Sequence, residues 1–438
     1  MTDLLALAER VWQGEERYHP FRGAGTSCEV AEGIAFVPGF SNVAAVSTDD
    51  GLVLVDTGTI HLADVMHDAV RQWSQRPLHT AVFTHGHIDH VFGVDRYEAD
   101  NDAAGAPRPA VIAHEAVPAR FDRYRATAGY NGIINQRQFS LPSMHWPVDF
   151  RYPDATYRDH LDLDVGGRRL ELRHDRGETD DHTWVWLPGD RVLCTGDLFI
   201  WASPNCGNPQ KVQRYPKDWA VALRTMASLH AETLLPGHGL PIVGRERVRQ
   251  ALEDTAELLE VLHDRTLEMM NAGADLDEIV HTVRAPERLL ERPYLRPVYD
   301  EPEFVVRNVW RLYGGWYDGN PARLKPPRDT AVAAEVAGLA GGPATLAARA
   351  RAVADSGDLR LAAQLAEWAL EAAPDDPGVR DVAREVYARR VEAEASTMAK
   401  GIFRWAAGRG SDDASEEEAS DRGAGTLRRS EPTSGDES

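Results

Sequence analysis

Three histidines and one aspartate lie within six positions of one another: His85, His87, Asp89 and His90. His85 and His87 are two residues apart, so their side chains share one face at the end of an extended strand. Asp89 and His90 follow on a turn and can face a neighbouring centre. Neutral imidazole and carboxylate are ligands that zinc and other divalent ions accept. The run therefore predicts a two-metal site, and the alternative is a polar loop that happens to be rich in histidine.

The pattern His-x-His-x-Asp-His, placed after the apolar residues Thr80–Phe83, resembles the signature of the metallo-β-lactamase superfamily. The resemblance implies further ligands in a fixed order along the chain. A Gly-Asp element supplies a bridging carboxylate in that superfamily, and a Pro-Gly-His element supplies the last imidazole. Here these elements end in Asp197 and His238, which are therefore the implied bridging and final ligands. Asp56, in another matching element, is expected to order the metal loops by hydrogen bonding rather than to bind metal.

One position departs from the common superfamily pattern. Where that pattern has Gly-His-Thr, this chain has Gly-Glu-Thr, so the carboxylate of Glu178 replaces an imidazole at the first metal. The zinc-dependent alkylsulfatases of the superfamily also carry a glutamate here. The alternative is that Glu178 is a solvated loop residue and that His174 or His182 completes the site. Two ligands, Asp89 and Asp197, are also expected to take part in catalysis. The implied ligand set is His85, His87, Asp89, His90, Glu178, Asp197 and His238.

A second segment strengthens the resemblance to the alkylsulfatases. Residues 315–321 read Gly-Trp-Tyr-Asp-Gly-Asn-Pro, like the segment that follows the catalytic domain of those enzymes. In that family it leads into an all-helical dimerisation region. The resemblance implies an α/β (α+β) fold: an αββα metallo-β-lactamase sandwich at residues 1–247, then a helical dimerisation region at 248–400. A homodimer is the implied partner, and packing of the helices onto their own chain is the alternative.

Length and charge set limits on the function. A chain of 438 residues is longer than one typical domain, so two folded parts are expected. The net charge of −21 argues against nucleic acid as a partner, because phosphate binding needs a basic surface. Residues 410–438 contain nine acidic and three basic side chains with almost no apolar ones, and we predict that this acidic tail is disordered.

Cysteine usage and hydropathy indicate the compartment. The three cysteines lack metal-site spacing and are odd in number, so a disulfide framework is not expected. The first ten residues lack the charged-then-apolar order of a signal peptide. No apolar stretch approaches the length needed to cross a membrane. A cytoplasmic location without a membrane partner is therefore expected.

Alternating strand and helix signals supply the elements that must position the ligands. Helices are predicted at Leu62–Trp73, Val248–Met270 and Leu276–Val283, and the Ala-rich residues Thr330–Arg390 are predicted to be helical. Residues Asp358–Ala388 faintly resemble one tetratricopeptide-type hairpin, which cannot bury its apolar face alone. Strands are predicted at Ile34–Val37, Val43–Ser47, Leu52–Val55, Thr80–Phe83, Ala110–Ala113, Leu161–Asp164, Leu170–Arg173, Thr183–Trp186 and Arg191–Thr195.

The predicted centre favours hydrolysis. Two divalent ions bridged by Asp197 would lower the pKa of a shared water toward neutrality and so supply hydroxide. The resemblance implies an alkyl sulfatase that cleaves a sulfate ester with two Zn²⁺ per chain, with iron and manganese as alternative metals. A lactonase, a thioesterase or a phosphodiesterase could use the same centre. An iron oxidoreductase is a weaker alternative, because flavodiiron proteins carry their glutamate at the position of His87. A non-catalytic binding module is the last alternative.

Recognition of the substrate anion must come from other residues. The loop after Asp197 carries four polar side chains, whose amide and cationic groups can hold sulfate oxygens: Asn205, Asn208, Lys211 and Arg214. The alternative is an ordinary surface turn. Residues 130–137 resemble an insertion in the alkylsulfatases, which makes Asn135 and Arg137 further candidate contacts. The expected partner is a small, anionic ester. No sterol-carrier-like domain follows the helices as in larger family members, so a shorter or more polar ester is expected.

Overall fold

The computed structural model describes residues 3–23 and 25–408, so the predicted acidic tail lies outside the described residues. Thirteen described strands form two mixed sheets, a seven-stranded one in the order β1 to β7 and a six-stranded one in the order β13-β12-β11-β10-β9-β8. Their bounds are β1 Cys28–Ala31, β2 Ile34–Val37, β3 Val43–Thr48, β4 Gly51–Val55, β5 Leu78–Val82, β6 Ala110–His114, β7 Ala155–Tyr157, β8 His160–Val165, β9 Arg168–His174, β10 Thr183–Leu187, β11 Val192–Ile200, β12 Thr233–His238 and β13 Ile242–Val243.

Both sheets are covered by helices. One helix precedes β1, others lie between the strands, and only helices follow β13. The described helices are α1 Leu4–Trp12, α2 Ala63–Trp73, α3 Val94–Ala104, α4 Val117–Ala126, α5 Ala128–Phe139, α6 Pro216–Ala227, α7 Arg245–Asn271, α8 Leu276–Thr282, α9 Glu287–Leu290, α10 Pro302–Gly314, the 3₁₀ turn Pro321–Arg323, α11 Asp329–Leu339, α12 Pro343–Asp355, α13 Leu359–Ala372, α14 Pro377–Ala393 and α15 Thr397–Ala407.

Side chains that point alternately to the two faces of the central strands explain why each sheet is covered on both sides. In β2, Ile34 and Phe36 face the second sheet, while Ala35 and Val37 face the opposite side and pack with α2, α3 and α4. Successive side chains on a strand point to opposite faces, so a strand that is apolar on both faces must be covered on both. The second sheet packs against α6 and α7 in the same way, through residues such as Trp219 and Leu252. The predicted αββα sandwich is confirmed.

The described residues form two compact units. The first combines the chain up to Ala128 with Trp146–Lys325, and it holds both sheets. The second combines Gly129–His145 with the described residues from Pro326 onward. The helical region itself begins at Arg245, close to the predicted position 248. The predicted domain bounds stay a prediction, since a split by compactness places α7 to α10 with the sheets.

Helices α11 to α14 share an alanine-rich core in the second unit. The predicted hairpin consists of α13 and α14, and its apolar face packs against α11 and α12 through Ala350, Ala366 and Val386. The hairpin is therefore buried by neighbouring helices of its own unit. A Cβ on Gly401 of α15 would lie 1.9 Å from the main-chain oxygen of Gln138, so α5 and α15 are in close contact.

No single described helix is long and apolar enough to cross a membrane; only α11 and α12 taken together, at a bend of 86°, have that length and composition.

Candidate metal centre

The candidate ligands lie at one edge of the sandwich, where parallel strands end. The histidine run follows β5, which is parallel to β4, and His238 ends β12, which is parallel to β11. Asp197 lies in β11 at a shift of the strand register. Carboxyl ends of parallel strands meet at the same edge of a sheet, so ligands distant in sequence converge. A Cβ at Gly237 would lie 2.1 Å from Asp197 Oδ1, so this convergence requires glycine there.

The first cluster consists of His85, His87, Glu178 and Asp197, whose ligand atoms all lie within 4.8 Å of one another. His85 Nε2 is 2.8 Å from His87 Nδ1 and 3.5 Å from Glu178 Oε2. His87 Nδ1 is 3.4 Å from the same glutamate oxygen. Glu178 therefore lies where the sequence predicted a ligand to the first metal.

The second cluster consists of Asp89, His90 and His238. Asp89 Oδ2 is 3.6 Å from His90 Nε2 and 3.4 Å from His238 Nε2. Asp197 contacts both clusters: its Oδ2 is 3.8 Å from His85 Nε2 and 3.3 Å from His238 Nε2, and its Oδ1 is 3.4 Å from His90 Nε2. These distances fit the predicted bridging carboxylate.

The donor set fits divalent cations. Three buried ligand atoms have no hydrogen-bond partner within the described part of the chain: His90 Nε2, Glu178 Oε2 and Asp197 Oδ1. Leaving buried polar atoms unpaired is costly, and one cation in each cluster would satisfy all three. Imidazole nitrogens with carboxylate oxygens, and no thiolate, suit zinc, iron or manganese. The arrangement is consistent with a binuclear site.

The ionisation of the cluster also calls for positive charge. Burial raises the pKa of Glu178; Arg214 opposes this rise, and the neighbouring Asp197 adds to it. Burial opposes ionisation of Asp197, yet His238 and His90 hold the pKa of this carboxyl well below its usual range. Burial lowers the pKa of His85 and His87 well below the usual imidazole value, so both present neutral nitrogens. Neutral imidazole is the form that binds metal.

Asp56 orders the histidine run, as expected from the sequence. It directly follows β4 with a φ of 60°, and its Oδ1 accepts a hydrogen bond from the backbone N–H of Thr84 at 2.7 Å. Its Oδ2 lies 2.7 Å from His90 Nδ1, so the other ring nitrogen, Nε2, points into the second cluster. The Nδ1 of His238 similarly contacts the main-chain oxygen of Phe40. Such contacts fix the ring orientation and tautomer of metal ligands.

The histidines considered as alternatives to Glu178 face elsewhere. His182 Nε2 accepts a hydrogen bond from the backbone N–H of Asp197 at 3.0 Å, and burial lowers the pKa of His182 to about 3. His174 stacks on His114, with ring centroids 3.6 Å apart. Neither belongs to a cluster, so Glu178 is the better candidate ligand.

Two further contacts hold the metal loops, and sequence reasoning missed both. Arg120 on α4 is buried and pairs with the buried Asp181 at 2.5 Å, and Asp181 also accepts from the backbone N–H of Gly86 at 3.1 Å. Asn42 donates to the main-chain oxygens of Pro236 and Gly239, at 2.9 and 3.1 Å. These partners are far apart in sequence, so no local pattern marks them.

The four predicted anion-binding residues after Asp197 lie in the same unit as the clusters. Two of them contact the candidate metal ligand Glu178. Arg214 is buried with its NH1 3.1 Å from Glu178 Oε1, and Asn205 also donates to this oxygen. Asn208 is buried and accepts from the backbone N–H of Gln210 at 3.0 Å. Lys211 Nζ lies 5.7 Å from the ring centre of Trp146.

Asn135 and Arg137 lie on α5, in the second unit. Asn135 Nδ2 donates to the main-chain oxygen of Asn131 at 2.8 Å. The proposed contacts of these two residues with a substrate stay predictions, as do those of the four residues after Asp197.

Comparison with known proteins agrees with this geometry. The family described as Metallo-beta-lactamase superfamily matches residues 36–238, and the family described as Alkyl sulfatase dimerisation matches residues 275–412. The chain is 27% identical over 366 residues to a linear primary-alkylsulfatase of Pseudomonas sp. (strain ATCC 19151), covering 78% of this chain and 69% of that protein. It is 27% identical over 371 residues to an (R)-specific secondary-alkylsulfatase of Pseudomonas sp., covering 78% and 55% respectively.

A solved structure shows the same fold. The stereoselective inverting sec-alkylsulfatase Pisa1 from Pseudomonas sp. superposes with a TM-score of 0.77 at 24% identity, over 87% of this chain and 65% of that one. At this identity the likeness establishes the architecture alone. The chain spans 55% to 69% of the length of the alkylsulfatases described above.

Proposed function

Because the chain belongs to the metallo-beta-lactamase superfamily and carries an alkyl sulfatase dimerisation region, we propose that it is a binuclear metal-dependent hydrolase that cleaves a sulfate ester. The observation that carries the proposal is Asp197, whose two carboxylate oxygens face both clusters. The alkylsulfatase relatives, which align with 78% of this chain, support the sulfate ester over a lactone, thioester or phosphodiester.

In this proposal His85, His87 and Glu178 hold the first ion, and Asp197 is shared with the second. Asp89, His90 and His238 complete the second site. Two zinc ions, when bound, supply Lewis acidity that activates water at neutral pH. The protein's own contribution is to hold the metal loops by the buried contacts of Asp56, Arg120 and Asn42.

The substrate would approach from the side of Asp89 and His87. The side chains of these two residues are each 18% exposed, whereas those of the other five ligands are at most 8% exposed. Asp89 is therefore the carboxylate best placed to contact a substrate, and it stays our candidate catalytic residue beside Asp197.

Lys211 is our leading candidate for the residue that binds the substrate anion. Burial and the neighbouring Arg214 lower the pKa of Lys211 to about 8, so its ammonium group is still largely protonated at neutral pH. Asp89 and Glu178 partly oppose this lowering of the Lys211 pKa. An ammonium group that is poorly solvated gains more from a sulfate oxygen than one in bulk water.

The test measures sulfate release by zinc-loaded protein from primary and secondary alkyl sulfates of different chain length. A lactone, a thioester and a phosphodiester are assayed separately as alternative substrates. We expect sulfate release that is lost with a chelator and restored by zinc. His87→Ala should abolish turnover, while His61→Ala, an exposed histidine outside the clusters, should not change it. Turnover of the other esters with inert alkyl sulfates would refute the sulfatase proposal.

A further inference from the structure

We propose that α10 of the helical region positions a ligand of the first metal site, because Asn308 on α10 holds Arg214 and Arg214 holds Glu178. Arg214 is then a positioning residue for a metal ligand rather than a contact for the substrate. The inference rests on the metal centre of the proposed function and not on the identity of the ester.

Glu178 divides its two carboxylate oxygens between different partners. Oε1 is held by Arg214 NH1 at 3.1 Å and by the side-chain amide of Asn205. Arg214 NH1 also donates to the main-chain oxygen of Glu178. Oε2 has no hydrogen-bond partner among the described residues and lies within 3.5 Å of His85 Nε2 and His87 Nδ1. One oxygen is thus anchored, and the other is left for a cation.

Arg214 is itself held by a side chain of α10. Asn308 Oδ1 accepts from the backbone N–H of Arg214 at 3.3 Å, and Asn308 Nδ2 donates to the main-chain oxygen of Arg214 at 3.1 Å. Asn308 Oδ1 also accepts a hydrogen bond from the side-chain amide of Gln213 at 2.8 Å. Asn308 is buried, so water does not compete for these bonds. The reciprocal pair fixes the backbone from which the guanidinium reaches Glu178.

The contact between Arg214 and Glu178 is needed because a glutamate stands where the common superfamily pattern has a histidine. A glutamate side chain has more rotatable bonds than an imidazole ring, so ordering it as a ligand costs more conformational entropy. An ion pair to one oxygen pays that cost before metal binds and leaves the second oxygen aimed at the cluster. The dependence is mutual, since a buried guanidinium without a carboxylate partner is strongly destabilising.

The first experiment measures the affinity of each zinc equivalent by competition with a chromogenic chelator. In Arg214→Met and Asn308→Ala we expect one of the two equivalents to bind about 10- to 100-fold more weakly, while the other keeps its affinity. Arg307→Ala serves as the control, because Arg307 is exposed on the same helix and pairs only with Glu303 in the described structure. If Arg214→Met does not fold, Asn308→Ala carries the test, since it keeps the ion pair.

The second experiment asks whether Arg214 acts through Glu178. Glu178→His alone should bind the first zinc poorly, because it leaves the buried Arg214 without its carboxylate. Adding Arg214→Met should recover that equivalent, since the imidazole ligand needs no anchor. Unchanged zinc affinities with a raised KM in Arg214→Met would overturn the inference and make Arg214 a substrate contact. Equal weakening of both equivalents in Asn308→Ala would also overturn it. Apart from KM, these outcomes are zinc affinities and can be read even if no sulfate ester is cleaved.

Discussion

Asp300 is a buried carboxyl that joins the loop after β11 to α10. Its Oδ2 accepts from the backbone N–H of Gly207 and its Oδ1 from that of Glu301, at 2.8 and 2.9 Å. Burial raises the pKa of Asp300 to about 7, and the two hydrogen bonds only partly oppose this. The folded chain therefore holds a proton here that the unfolded chain releases near pH 4.

This raised pKa predicts a pH dependence of stability. Between about pH 4 and pH 7 the folded state binds more protons than the unfolded state, so the contribution of Asp300 is complete below pH 4 and is lost as pH rises through 7. Asp300→Asn removes the titration. We therefore expect the free energy of unfolding of wild type, minus that of Asp300→Asn, to fall over this range in urea titrations. A difference that is constant with pH would contradict the prediction.

Residues of the metal centre could be predicted from the sequence only where their partners lie close to them along the chain or a motif marks their position. His85, His87, Asp89 and His90 could be predicted because one short run holds them all, and Glu178 because a Gly-x-Thr frame marks its position. Arg120, Asn42 and Asn308 could not. Their partners lie 61, 194 and 94 residues away, and a single arginine or asparagine carries no spacing signal. Contacts of this kind are set by the fold and not by a motif.

At the scale of elements, α10 packs directly on the loop that follows β11. A Cβ built on Gly207 would lie 2.0 Å from the main-chain carbon of Phe304, on α10. The backbone of the helix therefore leaves no room for a side chain at this position. Since Asn205 and Arg214 flank Gly207, the packing of α10 sets where both residues meet Glu178.

Gly207→Ala should push this loop and α10 apart. We expect a loss of about 1–3 kcal/mol in the free energy of unfolding, the usual cost of overpacking, and a weaker first zinc equivalent. Urea unfolding and the zinc competition assay measure the two effects. Gly189→Ala is the matched control, because Gly189 is exposed and a Cβ there would contact nothing within 4 Å. Equal effects of the two substitutions would contradict the role given to α10.

Elements with a strong period were predicted well, and those shaped by distant contacts were not. The expected strand Ile34–Val37 is β2 without change, and the helix expected at Leu62–Trp73 is α2 to within one residue. The short strand β7 was missed, since three residues give no period and its place depends on pairing with β6. Residues 130–137 belong to α5, a helix that was not predicted, and their membership of the second unit depends on distant contacts with helices such as α15.

At the scale of the whole molecule, charge opposes the homodimer that the resemblance to the alkylsulfatases implies. Each chain carries a net charge of −21, so two copies repel each other at long range. Association must then come from apolar contacts strong enough to overcome this repulsion. Three aromatic side chains are exposed just before the second unit, inside the segment matched to the dimerisation family: Tyr313, Trp316 and Tyr317.

Trp316 is 71% exposed, an unusual position for the largest apolar side chain, and we expect it to be buried between two copies. Light scattering should give twice the chain mass of 48.4 kDa, and the dimer should dissociate more readily at about 0.01 M salt than at about 0.15 M, where repulsion is screened. Trp316→Ser should raise the dissociation constant about tenfold or more. Val221→Ser, which changes an exposed residue of α6 outside the dimerisation segment, should leave it unchanged. A monomer at every salt concentration, or an equal response to the two substitutions, would show that this surface does not mediate association.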